Sequence, residues 1–165
     1  MSLFLLGAGL NVDVGRCETP YGMEYAVLQG ESKRWPTAWR RSRKIAQDLY
    51  GTLGSGFSED VYDRAMQVGL RLAGISYEGQ KVVELKYKDY YVGEGYPDLV
   101  VRFGREKIVV ELKAISSELG ASEEQQLRNY MKILRIDRGL LINFQHLGKK
   151  QGKTRLEMRD HDLTG

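Results

Sequence analysis

The sequence predicts an α/β domain, and three observations carry that prediction. Two helical periodicities come first, two apolar runs parted by Gly104-Arg105 read as a β-hairpin, and a further helix leads into a strand that is apolar throughout. With 165 residues, 42% of them hydrophobic, the chain is one domain long and can bury a core, which excludes disorder as its main state.

Residues 1–36 read as an N-terminal arm, with short apolar runs at Leu3 to Leu6 and Tyr25 to Leu28 that suit one or two short strands. From Thr37 the residues Ala38, Ser42, Ile45, Ala46, Leu49 and Leu53 recur at three and four positions, a helix that Gly54 stops. A second helix starts at Ser58 as N-cap, with Val61, Ala65, Val68 and Leu72 as its expected core stripe and Gly74 as its stop. Lys81 to Lys88 alternates as a half-buried strand does. The hairpin then runs from Tyr96 to Phe103 and from Lys107 to Ala114. Ser122 with Gln125 three residues on predicts a capping box, followed by a buried stripe of Leu127, Met131 and Leu134. Gly139 to Phe144, without alternation, predicts a strand covered on both faces. Residues 146–165 read as a basic C-terminal tail with one edge strand at Arg155 to Arg159.

Composition narrows the chemistry. One cysteine, Cys17, makes no intrachain disulfide, and His146 and His161 are too few to complete a zinc cage with it. Acid, base or metal chemistry therefore rests on carboxylates and lysines. The net charge is only +3, which excludes both an acidic solvating protein and a histone-like one. Leu3 to Leu10 is the longest apolar stretch and falls well short of the ~20 residues of a spanning helix. Met1-Ser2 supplies no basic start for a secretory signal, so an intracellular location, cytoplasmic or nucleoid/nuclear, is expected. The glycine turn Gly51 to Gly56 lacks the Lys-Ser/Thr ending of a P-loop, so ATP use is not expected.

If Gly104 and Arg105 are the two loop residues, the numbers of facing residues sum to 209 and Asp98 stands opposite Glu111. In that register Leu99, Val101, Phe103, Ile108, Val110 and Leu112 share one face, and Asp98, Glu111 and Lys113 share the other. Carboxylates facing each other across a ladder lie about 5 Å apart and repel, so they call for a cation between them. Oxygen ligands without histidine suit Mg²⁺ or Mn²⁺. Lys113 would place an ammonium beside that ion, the outline of a phosphodiester-cleaving site. The plain alternative is two exposed acids relieved by Arg102, Lys107 and Lys113.

Pro97-Asp98, twelve residues, then Glu111-Leu112-Lys113 resembles the PD-(D/E)XK signature of restriction-endonuclease-like nucleases. Gly56-Phe-Ser-Glu59-Asp-Val-Tyr62 looks like the motif of the GxxExxY branch, Gln126 and Tyr130 repeat the Q-x-x-x-Y pattern of RecB-like nucleases, and Gly139-Leu-Leu-Ile-Asn-Phe144 matches a strand of the GxxExxY proteins. The resemblance implies a restriction-endonuclease-like core, a mixed β-sheet flanked by α-helices, as a nuclease-like domain over 37–145. It implies Asp98, Glu111 and the Leu112 carbonyl as ligands of Mg²⁺ or Mn²⁺, Lys113 as catalytic base, and Glu59 orienting the metal or its water. Gln126 and Tyr130 would approach the nucleic-acid backbone or brace the site. Without the resemblance, Glu59 is a favourable acid in a helix first turn, and Gln126 and Tyr130 are a polar helix rim.

Lys33, Arg34, Arg40, Arg41, Arg43 and Lys44, interleaved with Trp35 and Trp39, read as a phosphate-binding surface or as a solvated helix face. A second basic cluster is Lys149, Lys150, Lys153, Arg155 and Arg159. The expected function is a divalent-metal-dependent nuclease, DNA ahead of RNA. The rivals are a nucleic-acid-binding module without efficient turnover and a partner-binding subunit.

Overall fold

The structure, a computed structural model, describes residues 35–146 and 155–164. The expected strands of the N-terminal arm and the positions of Lys33, Arg34, Lys149, Lys150 and Lys153 lie outside the described residues. Pro36–Gly165 is one compact unit.

Helix α1 (Thr37–Leu53) and helix α2 (Glu59–Leu72) come first, then strands β1 (Ser76–Gly79), β2 (Val83–Tyr87), β3 (Tyr90–Gly95), β4 (Leu99–Phe103) and β5 (Glu106–Lys113). Helix α3 (Ala121–Leu134), β6 (Arg138–Phe144) and β7 (Leu156–Asp162) follow. The main sheet has the order β1-β4-β5-β6-β7, and β2 and β3 form a separate two-stranded sheet. Only β5 and β6 run parallel, joined through α3, so the sheet is mixed. No described helix is long and apolar enough to cross a membrane.

The β4–β5 register pairs Leu99 with Val110 and Phe103 with Glu106, as a two-residue Gly104-Arg105 turn requires. Gly104 has φ 59°, the left-handed backbone that such a turn needs. Both faces of this hairpin are covered. Val100 and Val109 join Leu127 and Met131 of α3 and Leu141 of β6 in one buried cluster. Leu99, Val101, Ile108, Val110 and Leu112, of opposite parity, are also fully buried, as are Tyr62, Met66 and Leu70 of α2. The continuous apolar run of β6 is buried from Gly139 to Phe144, as its lack of alternation predicts.

Several elements differ from expectation. The buried face of α2 is Tyr62, Met66 and Leu70, whereas Val61, Val68 and Leu72 are exposed. Both stripes have helical spacing, and contact with the sheet decides between them. Gly69 marks how closely α1 and α2 approach, since a Cβ there would lie 2.4 Å from Ile45 Cγ2. Helix α3 begins at Ala121, and its entry is closed by Glu123, whose Oε2 accepts the Gly120 N–H at 2.8 Å. The expected Ser122–Gln125 box is thus displaced by two residues toward the N-terminus. Strands β1 and β3 have no counterpart in the expectation, which also ran the hairpin back to Tyr96; instead β3 ends at Gly95 and Tyr96-Pro97-Asp98 bridges two sheets. The last strand, β7, extends three residues beyond Arg159 and pairs along β6.

The α2 assignment has a direct check in denaturant unfolding. Met66→Ala should cost about 2–5 kcal/mol through the cavity it leaves. Val68→Ala, on the exposed face, should stay within about 0.5 kcal/mol of the parent.

Candidate active site

Glu111 and Lys113 lie two apart in β5, so strand geometry alone turns both side chains the same way. Asp98 stands one step before β4 begins, across from Glu111. Two hydrogen bonds tie the pair: the Asp98 N–H donates to Glu111 Oε1 at 3.4 Å, and the Leu112 N–H donates to Asp98 Oδ2 at 2.8 Å. Each carboxylate is thus fixed by the backbone of the other's strand. Glu111 is only 1% exposed, so the picture of two solvated surface acids does not describe it.

Lys113 Nζ lies 3.8 Å from Glu111 Oε2 and 3.9 Å from Glu59 Oε1, between an acid of the sheet and an acid of α2. Glu59 reaches this point because the first turn of α2 is pinned from inside. Tyr62 stacks on Phe144 at a centroid distance of 4.2 Å and an interplanar angle of 4°. Its hydroxyl donates to the Gly54 carbonyl at 2.8 Å. The tyrosine of the G-x-x-E-x-x-Y motif is therefore a buried bolt between α2, the glycine turn and β6, and the glutamate is what the bolt aims.

The loop after Lys113 is clamped in the same manner. Asn143, fully buried, accepts the Ile115 N–H at 3.0 Å and donates to the Ser117 carbonyl at 3.0 Å. Gln145 donates to Ser116 O at 3.3 Å. Asn143 and Gln145 were not singled out from the sequence, although the polar breaks they make at the end of an apolar strand are the signal that could have found them. Asp63, buried one turn beyond Glu59, was missed as well.

Burial dominates the electrostatics. It pushes the carboxyl of Glu111 up to about 8, with the Asp98 charge adding to it and Lys113 opposing. Asp98 is also raised by burial, against the Leu112 hydrogen bond and Lys113. Glu59 is raised chiefly by burial, offset by Lys113. A half-buried and a fully buried carboxylate facing each other, both raised chiefly by burial, suit a hard divalent cation, which would relieve both. Among the described residues no three His, Cys, Asp or Glu side chains are gathered as a metal cage.

Tyr130 of α3 packs its ring on Gly95, where a Cβ would lie 2.6 Å from Tyr130 Cε1, and its hydroxyl accepts the Tyr96 N–H at 3.2 Å. It holds the turn that leads into Asp98. Gln126 is exposed and lines, with Tyr130, Gln125, Asn129, Leu85 and Glu94, a groove of about 610 Å³ between α3 and the β2–β3 sheet. The arginines of α1 find partners away from the carboxylates. Arg41 lies over the Phe103 ring at 4.5 Å, at the far end of β4, about 16 Å of strand from Asp98. Arg43 pairs with Asp160 at 2.9 Å and stacks on Trp39 at 4.8 Å; Arg40 bonds Thr37 at 3.2 Å, and burial lowers Lys44. Trp39 itself is core, 2% exposed, with its indole N–H on Asp160 at 3.0 Å.

A mixed sheet between helices, with an acid opening one strand and Glu-x-Lys closing its partner, defines a restriction-endonuclease-like domain. Comparison with known families agrees, since the profile of the PD-(D/E)XK nuclease superfamily matches residues 38–156, and the chain belongs to that superfamily. A nucleic-acid substrate is what such membership implies. No curated protein matches the chain. Among solved structures, that of SSO0001 is similar at 18% identity and a TM-score of 0.46, over 76% of this chain and 62% of its own. The chain thus spans about three fifths of that protein's length.

Stability should report the buried acids. A carboxyl whose folded value is raised from 4.5 to about 8 contributes stability that is full below about pH 4.5 and is lost as pH rises through about 8. In EDTA the melting temperature should therefore fall between about pH 5 and about pH 9, and Glu111→Gln should flatten that fall. An equally steep fall in the variant would move the cause elsewhere.

Proposed function

We propose that this chain is a divalent-cation-dependent nuclease that hydrolyses phosphodiester bonds, of the GxxExxY branch, with DNA ahead of RNA as substrate. The observation that carries the reading is the pairing of half-buried Asp98 with fully buried Glu111, with the Lys113 ammonium 3.8 Å from Glu111. Asp98 and Glu111 would hold Mg²⁺ or Mn²⁺ with the Leu112 carbonyl. When bound, the ion supplies Lewis acidity toward a phosphate oxygen and lowers the pKa of water.

The protein's own groups do the rest. Lys113, 16% exposed and held between Glu59 and Glu111, stabilises the attacking hydroxide and the charge that develops on the phosphate. Glu59, 3.9 Å from Lys113 Nζ, keeps the ammonium over that position. Tyr130 braces the turn before Asp98, and Gln126 offers its carboxamide to the substrate backbone from the groove. Arg40, Arg41, Arg43 and Lys44 would meet phosphates only at a distance from the cleaved bond, on the stretch of substrate beyond the Gly104 turn.

Parent and Lys113→Ala proteins should be compared on single-stranded DNA, duplex DNA and RNA, in Mg²⁺, Mn²⁺ and EDTA. The variant keeps both carboxylates and should still bind, while cleavage falls a hundredfold or more, because one charged donor is typically worth ~3 kcal/mol in the transition state. A parent that binds all three and cuts none is a binding module. Undiminished cleavage by the variant removes Lys113 from the chemistry.

Substituting Arg40 and Arg41 by Ala should leave the cleavage rate at saturating substrate within about twofold and reduce the salt slope of binding by about 1 to 2. An unchanged slope returns these residues to the solvated face of α1.

A further inference from the structure

Asp63 is an acid that the proposed chemistry does not use, and it is placed at a cost. It follows Glu59 by one turn of α2 and is only 8% exposed. One oxygen, Oδ2, accepts the Gln67 amide N–H at 2.8 Å. The other, Oδ1, is buried with no hydrogen-bond partner. A buried carboxylate oxygen without a donor destabilises the fold; a leucine of the same size would remove that cost, and an asparagine would remove its charge.

The side chain is also held in one orientation. Gln67 takes the Tyr77 hydroxyl on its carbonyl oxygen at 3.4 Å, which leaves its amide nitrogen for Asp63. Tyr77 in turn accepts from Arg71 at 2.8 Å. This chain of hydrogen bonds anchors Oδ2 to β1 and so determines where Oδ1 points. Asp98 exerts the strongest charge on Asp63, and Asp63 is felt at Glu59. Arg64 offers little relief, being bridged to Asp60 at 2.8 Å. An unpartnered oxygen, braced from behind and within the field of neighbouring acids, is complete only when something that donates hydrogen bonds, or carries positive charge, reaches it.

We propose that Asp63 is a positioning carboxylate of the cation site, its free Oδ1 accepting a hydrogen bond from hydration water of a divalent ion held at Asp98 and Glu111. The inference rests on the nuclease reading above and adds a residue to it. A water-mediated role fits the absence of any three-carboxylate cage among the described residues. It also explains why Asp63 is oriented by Gln67 as a ligand's outer partner would be, since such partners set affinity by fixing geometry.

The test is thermal unfolding of parent, Asp63→Asn and Gln67→Leu in EDTA and across a Mn²⁺ titration, with cleavage followed over the same titration. In EDTA, Asp63→Asn should melt at or above the parent, because the unsatisfied buried charge is gone. The Mn²⁺ concentration giving half the thermal shift should rise about 10- to 100-fold in Asp63→Asn, and less in Gln67→Leu, which only loosens the brace. Cleavage should need correspondingly more Mn²⁺ while its rate at saturating metal changes less. Asp63→Asn that melts below the parent in EDTA, fails to fold, or responds to Mn²⁺ as the parent does would overturn the inference and return Asp63 to a structural role. A parent that shows no thermal shift in Mn²⁺ or Mg²⁺ would instead bring down the cation site itself, and this inference with it.

Discussion

Two carboxylates forced together at the end of an antiparallel pair are the constraint around which the rest is built. Asp98 and Glu111 repel, yet each is held by a backbone N–H of the other's strand, so neither can turn away without breaking the hairpin's last hydrogen bonds. Strand pairing fixes their separation, and burial prevents water from dissipating their field. What surrounds them serves to keep the arrangement in place. Tyr62 bolts α2 to β6, Asn143 clamps the loop that follows Lys113, and Tyr130 supports the turn that delivers Asp98. Three motifs that are separate in the sequence thus converge as supports for one point.

The convergence changes what the G-x-x-E-x-x-Y pattern means physically. Its glutamate and tyrosine lie three apart, which places them near each other on a helix, and a shared role is the natural inference. In the structure they divide the work. Tyr62 points into the core, and Glu59 lies at the rim, 3.9 Å from Lys113. The stacking of Tyr62 on Phe144 works together with its hydroxyl bond to Gly54, so both the angle and the axial position of the helix are set. A phenylalanine would keep the first constraint and lose the second.

How much could be read in advance depended on how local the physics was. The hairpin register was legible because turn chemistry and parity lie within fifteen residues. Once the Gly104-Arg105 turn is identified, Asp98 and Glu111 have to meet. The buried face of α2 was not legible, since Val61, Ala65, Val68 and Leu72 make as good a stripe as Tyr62, Met66 and Leu70, and only Phe144, more than eighty residues away, selects between them. Strand β1, Ser-Tyr-Glu-Gly, has no apolar signature because it is an edge strand paired on one side only. Trp39 and Arg43 look like a phosphate-binding surface until Asp160 of β7 is seen to occupy both. Asp63 was invisible for the same reason, as its meaning depends on Asp98.

The burial that makes this site costly also strengthens the interactions within it. Glu111 sits between Leu112 and Val110 in a strand flanked by Leu140 to Phe144, all of them closed to solvent, and that environment is what opposes its charge. In the same low-dielectric surroundings each remaining interaction is stronger than it would be in water. Lys113, mostly buried itself, acts on Glu59 and Glu111 across distances of nearly 4 Å that would count for little at the surface. Exposed acids at the same positions would remove the stability penalty and with it the leverage of the lysine. The fold tolerates the penalty because the expense is confined to one end of the sheet, while the apolar body of β4, β5 and β6 is covered on both faces and supplies the stability that the site gives up.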